Sequence, residues 1–158
     1  MKNNLKHNRR ILLVIFLLVF RVVYFIIPNY FHGKNWVSQV CAANKCLTVE
    51  LARTQTEQEK GLMYRSSLSE NSGMLFMFPK SDLYNFWMKN TLIPLDMIRI
   101  DEQLRVVRII TAPACLADPC PAFKPEIGAK YVLEVNAWIA IKYWIVEWTI
   151  MRFKNIRK

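Results

Sequence analysis

The chain has 158 residues and a formal net charge of +10, from 22 Lys and Arg against 12 Asp and Glu. The positive charge lies at the two ends, because residues 1–32 carry +5 and residues 152–158 carry +4, which leaves +1 for residues 33–151. Because the central part is close to neutral, it has no basic face for phosphate groups, and nucleic acid is not an expected partner. The length allows one domain plus one anchoring segment.

An apolar segment near the N-terminus predicts a membrane anchor. Residues 11–27 form a run of seventeen residues interrupted only by Arg21, at the short limit for a helix that crosses a bilayer. Bulky residues follow the run, whereas a cleaved signal peptide would end in small ones. Basic residues precede it, which places residues 1–10 in the cytoplasm and the chain after residue 28 outside. We therefore predict a single-pass anchor in the cell-membrane lipid bilayer, followed by a linker (28–46).

Four cysteines form two close pairs, Cys41 with Cys46 and Cys115 with Cys120. Outside the cytoplasm such pairs form disulfides, and four cysteines allow three connectivities. We predict a local bridge within each pair. The alternative is a zinc site shared by both pairs, although paired cysteines in structural zinc sites are usually separated by two residues and not by four. No other metal and no cofactor is predicted.

Hydrophobic patterns predict six short strands and one or two short helices after the linker. Thr56 and Glu59 form a predicted capping box that starts a helix with Leu62 and Met63 on its inner face. A proline-rich segment before the last strand predicts a long loop. The predicted fold is mainly β (α+β), a small sandwich or partly closed barrel over residues 47–153, with a basic tail at 154–158. The predicted strands are 47–52, 73–78, 84–88, 96–101, 104–110 and 130–136.

Several strings of residues between positions 47 and 137 resemble one protein family. They are, in chain order, GLMYRSSL, GMLFMF, FWMKNTLIPLDMIRID, APAC with its partner DPCP, and YVLEVNA. Together they resemble the family of domain of unknown function 192, and FWMKNTLIPLD is the most specific of them. The resemblance implies a compact, mainly β domain that is often exported behind a signal or a membrane anchor. It implies no reaction, because the activity of that family is not established.

Three tryptophans near the C-terminus occupy positions at which the resemblance implies glycine: Trp138, Trp144 and Trp148. Helix ends and tight turns with positive φ suit glycine, whereas an indole there costs about 1 kcal/mol or more. Only 4 of 158 residues are glycine, against a usual share of about 7%. We hypothesise that UGA codons of a lineage that reads them as glycine have been translated as tryptophan. The alternative is an interfacial helix with an aromatic belt beside the basic tail.

The sequence offers candidate binding residues but no catalytic motif. Both histidines lie outside the predicted domain, and no Ser–His, Cys–His, phosphate-loop or HExxH pattern is present. If Asp96 and Glu134 lie on neighbouring strands, their carboxylates and Lys89 could converge on a pocket for a sugar or a peptide. The alternative is that these residues satisfy turns and ion pairs within the fold. The candidates are two aromatic residues that would form a stacking floor and six polar residues: Phe86, Trp87, Lys89, Asn90, Thr91, Asp96, Glu134 and Asn136.

The predicted function is binding of an envelope ligand or a membrane protein partner by a domain anchored at the outer membrane face. One alternative is an enzyme acting on an envelope glycan through Asp96 and Glu134, which requires the two carboxyls in one pocket about 5 to 10 Å apart. Another is a structural accessory to a membrane complex, which would expose an apolar patch and have no pocket.

Overall fold

The structure, a computed structural model, describes residues 15, 16, 19, 20 and 37–156. The chain divides into two units, residues 1–36 and 37–158, and each is described by itself. In the first unit, the four described residues are helical and exposed. Residues 1–10, most of the predicted anchor (11–27) and the first part of the predicted linker lie outside the described residues. Within the described ranges, no helix has both the length and the apolar character needed to cross a membrane.

Seven strands form one mixed sheet, in which every neighbouring pair is antiparallel except β2 and β3. The order across this sheet is β6-β5-β8-β3-β2-β1-β9, and β4 pairs with β7 in a separate two-stranded sheet. In chain order the elements are β1 (Gln39–Ala42), β2 (Lys45–Ala52), α1 (Gln55–Lys60), β3 (Ser72–Asp82), β4 (Phe86–Trp87), β5 (Leu95–Ile100), β6 (Val106–Ala112), β7 (Ala122–Phe123), β8 (Ala129–Asn136), α2 (Ile139–Lys142) and β9 (Met151–Lys154).

The large sheet curls until its two edges meet. At the start of β6, the Val106 amide donates to the Thr149 carbonyl at 2.9 Å, and at the start of β9 the Met151 amide donates to the Leu104 carbonyl at 2.8 Å. These bonds join the first and last strands of the sheet order. The fold is therefore a mainly β domain with two short helices and a partly closed barrel, as predicted.

Each face of the curled sheet carries its own hydrophobic core. The inner core takes side chains from all seven strands and is closed by Ile139 and Ala140 of α2. The outer core contains the alternate residues, among them Met74, Met97 and Val132, and β4 covers it through Phe86. Burial on both faces explains why β3 is continuously apolar over residues 73–78 and why every residue of β5 is buried.

All six predicted strands are present, although their limits differ. β3 continues through Pro79 to Asp82, four residues beyond the predicted end at Phe78, and only two residues of the predicted strand 84–88 are paired. Three short strands, β1, β7 and β9, are not predicted from the sequence. Because β1 lies within the predicted linker (28–46), the folded part begins earlier than residue 47.

The capping box of α1 is present, but it lies two residues earlier than predicted. Thr54 is the N-cap, and Glu57 Oε2 accepts from the Thr54 amide at 2.9 Å. The sequence contains two overlapping T-x-x-E patterns, and the end of β2 at Ala52 selects the first. Gly61 (φ 46) ends the helix, so Leu62 is buried beyond the helix and not on its face.

Both predicted disulfides, Cys41–Cys46 and Cys115–Cys120, are present. The first joins facing positions of β1 and β2. Since each sulfur is bonded within its own pair, the structure contradicts the shared zinc site. In the part of the chain that the structure describes, no group of three or more His, Cys, Asp or Glu residues could hold a metal ion.

The three tryptophans near the C-terminus share a left-handed backbone. The φ angles of Trp138, Trp144 and Trp148 are 74°, 55° and 73°. Their side chains are 68%, 85% and 70% exposed, so little packing holds them. The helix in this region, Ile139–Lys142, has only four residues and contains none of the three tryptophans. The long interfacial helix of the alternative prediction is therefore not present here. Positive φ at all three positions is the conformation expected of glycine.

Candidate functional site

A groove of about 290 Å³ opens on the outer face of the sheet. This volume is close to the lower limit of about 300 Å³ for ligand pockets, so the groove suits a small ligand or one unit of a longer one. Its walls are aromatic: Phe76, Phe78, Tyr84, Phe86 and Trp87. Its polar residues come mainly from α1 and the segment before β5: Gln55, Gln58, Glu59, Lys60, Asn85, Thr91 and Glu134.

The aromatic wall follows from the path of the chain after β3. Alternate residues of β3 point to the same face, which puts Phe76 and Phe78 together on the outer side. The chain then reverses, and the ring of Tyr84 stacks on that of Phe78 at 3.6 Å between centroids. Phe86 meets Phe76 edge-on at 5.0 Å. Trp87, half-exposed, completes the wall and leaves one aromatic surface open to solvent.

Glu134 is the buried acidic group of the groove. It lies in the middle of β8, between Met74 of β3 and Met97 of β5. Its residue surface is 4% exposed, and its carboxyl group has no partner among the described residues. Desolvation of the charged form raises the pKa of Glu134 from its usual 4.5 to about 8. The carboxyl group is therefore mainly protonated and neutral at pH 7, with one proton to donate.

Gly73 allows β3 to lie close to β8 at this point. A Cβ atom on Gly73 would lie 2.6 Å from the carbonyl oxygen of Glu134 and 2.8 Å from Cγ1 of Val135. Real Cβ atoms do not approach a carbonyl oxygen so closely, so any larger residue would push the strands apart. The position of Glu134 behind the groove depends on this glycine.

Asp96 and Glu134 lie on neighbouring strands but on opposite faces of the sheet. Asp96 pairs with Val135 and Glu134 pairs with Met97, and successive residues of a strand point to opposite faces. Asp96 is buried on the inner side, where it accepts hydrogen bonds from Thr111 Oγ1 at 2.6 Å and from the Ala140 amide at 2.9 Å. It therefore holds the first turn of α2, and the predicted convergence of the two carboxyls does not occur.

Lys89 and Asn90 lie beside the groove and serve local structure. Lys89 Nζ pairs with Asp118 at 3.1 Å and lies 5.6 Å from the centre of the Trp87 ring. Asn90 has φ 56° and donates from Nδ2 to the Tyr64 hydroxyl at 2.8 Å. For these two residues, the contacts match the structural alternative.

Asn136 also has a structural contact, since its Nδ2 donates to the Leu68 carbonyl at 2.8 Å and ties β8 to the segment before β3. Thr91 is buried at the groove, and its carbonyl accepts from the Cys115 amide at 3.1 Å, so the second disulfide loop is attached there. Of the eight predicted site residues, the structure brings four together in the groove: Phe86, Trp87, Thr91 and Glu134.

The α1 side of the groove and three of its five wall aromatics, Phe76, Phe78 and Tyr84, are not among the residues predicted from the sequence. Phe78 and Tyr84 continue an aromatic pattern that runs from β3 into β4, and this spacing is a signal that sequence reading can use. Gln58 has no such signal. Its Nε2 donates to the Met77 carbonyl at 3.0 Å, a contact that depends on how α1 folds back over β3.

The domain is thus a small, partly closed β barrel with an aromatic groove on its outer face. The model of the DUF192 family, described as an uncharacterised ACR, matches residues 38–148. The chain therefore belongs to the DUF192 family.

Two crystal structures are similar to this chain. One is a protein from Sinorhizobium meliloti 1021 named as a candidate transcription regulator, with 27% identity and a TM-score of 0.67 over 78% of this chain and 100% of that chain. The other is a protein of unknown function from Novosphingobium aromaticivorans DSM 12444, with 34% identity and a TM-score of 0.65 over 73% of this chain and 83% of that chain. No functionally curated protein matches the chain.

Proposed function

We propose that this domain is a ligand-binding module at the outer face of a cell membrane, and that its groove binds a neutral sugar unit of an envelope glycan. The observation that carries the proposal is the groove itself, in which aromatic walls surround a buried carboxyl group without a partner. A ligand hydroxyl in the groove could form a hydrogen bond with this carboxyl group, which has none to the described residues.

The chemistry of the groove suits a sugar ring. Aromatic faces such as that of Trp87 stack on the apolar face of a pyranose, while amides at the rim, among them Gln55 and Asn85, pair with its hydroxyls. Protonated Glu134 can both donate to a hydroxyl group and accept from one. A neutral ligand binds without ionising Glu134, whereas a cationic ligand would have to displace its proton.

The proposed location is supported by the chemistry of the cysteines and by the apolar N-terminal run. Both disulfides suit an oxidising compartment, and residues 11–27 have the composition of an anchor. Protease added to intact cells should then degrade the domain. If the domain is protected and the thiols of Cys41, Cys46, Cys115 and Cys120 react with alkylating reagents, the proposed location is wrong.

Calorimetric titration of the full-length protein with an N-acetylglucosamine tetramer, a neutral probe, tests the ligand class. We expect Trp87→Ala to weaken binding about ten-fold, because stacking and buried apolar area are lost. Leu116→Ala is the matched control, since Leu116 is an exposed apolar residue outside the groove. Equal affinity of the Trp87 variant and the wild type would contradict a role of the groove.

The pH dependence of binding distinguishes a neutral ligand from a cationic one. Glu134 donates its proton only below its pKa of about 8, so affinity for the sugar probe should fall as the pH rises through that value. A cationic ligand would pair with ionised Glu134, and its affinity would rise over the same range. Glu134→Gln keeps a donor and an acceptor, so it should bind the sugar with no change between pH 7 and pH 9.

The two alternatives receive unequal support. An enzyme that uses Asp96 and Glu134 as paired carboxylates is not supported, because these side chains face opposite sides of the sheet. A structural accessory gains some support from an exposed apolar patch around α2 and β9, although a groove is also present. Half of the patch disappears if its tryptophans are glycine in the natural protein. The patch consists of Trp138, Ile141, Trp144, Val146, Trp148 and Ile150.

The name of the Sinorhizobium protein does not change this proposal. Residues 33–151 have a net charge of +1, and proteins that bind DNA or RNA neutralise phosphates with clustered Lys and Arg. A nucleic-acid partner is therefore not proposed.

A further inference from the structure

Arg99 is a charged residue in the middle of a hydrophobic core. It lies on β5, on the same outer face as Met97, and its Cα partners are Val132 of β8 and Arg108 of β6. Its exposed fraction is 0%. A buried guanidinium needs hydrogen-bond acceptors and, in most proteins, an anionic partner.

Within the described residues, Arg99 has only some of the hydrogen-bond acceptors that a guanidinium requires, and no anionic partner. Its Nη2 donates to the carbonyl oxygens of Tyr84 at 3.0 Å and Phe123 at 3.4 Å, and its Cζ lies 5.5 Å from the centre of the Phe86 ring. Nε and Nη1 are buried and have no acceptor. None of the ion pairs formed by described residues includes Arg99. Burial lowers the pKa of Arg99, yet a guanidinium stays protonated at physiological pH. The positive charge therefore lacks a counterion.

A second cavity, separate from the aromatic groove, lies beside this side chain. Its volume is about 100 Å³, whereas one water needs about 10 to 15 Å³ on this scale, so a carboxylate or a phosphate group has room. The lining carries three cationic residues and one acid. It consists of Arg99, Arg108, Ile110, Lys124, Pro125, Glu126 and Ile127.

We propose that this cavity is a binding site for a small oxyanion, the carboxylate or phosphate group of a ligand. The anion would be attracted by the unpaired charge of Arg99 behind the cavity wall and by Lys124. It would accept charge-assisted hydrogen bonds from Arg99 once the buried N–H groups turn toward the cavity. Arg108 adds less charge, because it also lies 3.5 Å from Glu147. The site does not depend on the sugar-binding proposal, since the two sites share no lining residue.

Thermal unfolding of the full-length protein tests this site with acetate and phosphate as probes, each at about 20 mM against sodium chloride of equal ionic strength. A ligand that binds only the folded state raises Tm, and we expect a rise of at least about 2 °C for one or both oxyanions. The probe with the larger effect shows whether a carboxylate or a phosphate is preferred. An equal effect of chloride, or no effect of either probe, would overturn the proposal.

Arg99→Met removes the buried charge while keeping a long apolar side chain, and we expect it to abolish the response to both anions. A Tm rise in this variant as large as that of the wild type would show that the anion binds elsewhere. Lys124→Gln keeps Arg99 in place and should weaken the apparent affinity several-fold. Lys45→Gln is the matched control, because Lys45 lies on β2 outside this cavity and should leave the affinity unchanged.

Glu126→Gln distinguishes a ligand site from a pairing within the protein. Removing the one acidic group of the cavity should strengthen anion binding, because a like charge is lost. If Glu126 were the counterion of Arg99 in solution, this variant would lower Tm without increasing the affinity for either anion. That result would contradict the proposed site.

Discussion

Replacing Trp144 with glycine tests the backbone at the end of α2. The Trp144 amide donates to the Ile141 carbonyl at 3.2 Å, and the Ile145 amide donates to the Ala140 carbonyl at 2.8 Å. These two bonds form a Schellman motif, in which the residue at the Trp144 position has a left-handed backbone and is usually glycine. Trp144 has φ 55° and is 85% exposed. The indole therefore adds strain and little packing.

The expected gain follows from two opposing terms. A left-handed backbone costs a residue with a Cβ atom about 1 to 2 kcal/mol, and glycine removes this cost. Glycine also has more conformational freedom in the unfolded chain, which reduces this gain in stability by about 0.5 to 1 kcal/mol. Trp144→Gly and Trp138→Gly should each stabilise the fold by about 0.5 to 1 kcal/mol, or about 2 to 4 °C in Tm. Trp148→Gly should gain less, because Arg105 lies 5.9 Å from its ring and such contacts contribute about 0.5 to 1 kcal/mol.

Thermal and denaturant unfolding of the single variants measures these differences. Ile141→Gly is the matched control, because Ile141 is 73% exposed but lies inside α2, where glycine should cost about 1 kcal/mol. If Trp144→Gly lowers Tm as Ile141→Gly does, the position does not require a left-handed backbone. Mass spectrometry of the natural protein tests the decoding hypothesis itself, and indole masses at positions 138, 144 and 148 would refute it.

Three further variants test the buried groups. The folded protein keeps the Glu134 proton up to about pH 8, while the unfolded chain loses it near pH 4.5, so the free energy of unfolding should fall between these values by at most about 5 kcal/mol. In denaturant titrations at several pH values, Glu134→Gln should remove this dependence of the free energy of unfolding on pH. An unchanged dependence would contradict the raised pKa of Glu134. Asp96→Ala should cost about 2 to 3 kcal/mol, because the Ala140 amide and the Thr111 hydroxyl lose their acceptor; a loss below about 0.5 kcal/mol would show that Asp96 does not hold α2. Gly73→Ala should cost about 1 to 3 kcal/mol through its clash with the Glu134 carbonyl, and a stability equal to that of the wild type would rule out the close approach of β3 and β8.

The longer strands could be predicted from the sequence because burial of one or both faces produces a regular hydrophobic pattern. Alternation along residues 47–52 predicts β2 with one exposed face, and the apolar run at 73–78 predicts β3 with two buried faces. The pairing of Cys41 with Cys46 is local, so it could be predicted without the fold. By contrast, β1 and β9 are four residues each, and so short a strand carries too few positions for a period to show.

Which candidate residues lie together in the site could not be predicted from the sequence, because this depends on strand register. Asp96 and Glu134 both lie in mainly apolar strands, and a shift of one residue between β5 and β8 would place them opposite each other on the same face. Register is set by the packing of both cores, which no local pattern records. The position of Gln58 over the groove likewise depends on the turn that follows β2. The candidate residues are thus predictable by type, whereas their grouping is not.

Pairing of β1 with β9 brings the two ends of the folded unit together. Gln39 of β1 is the Cα partner of Lys154 of β9, and such partners in antiparallel strands lie about 5 Å apart. A few added residues would therefore suffice to join the ends, and the chain could be reopened in the exposed loop around Leu116 as a circular permutant. For the same reason, the unit could be inserted into a surface loop of another protein without stretching either strand.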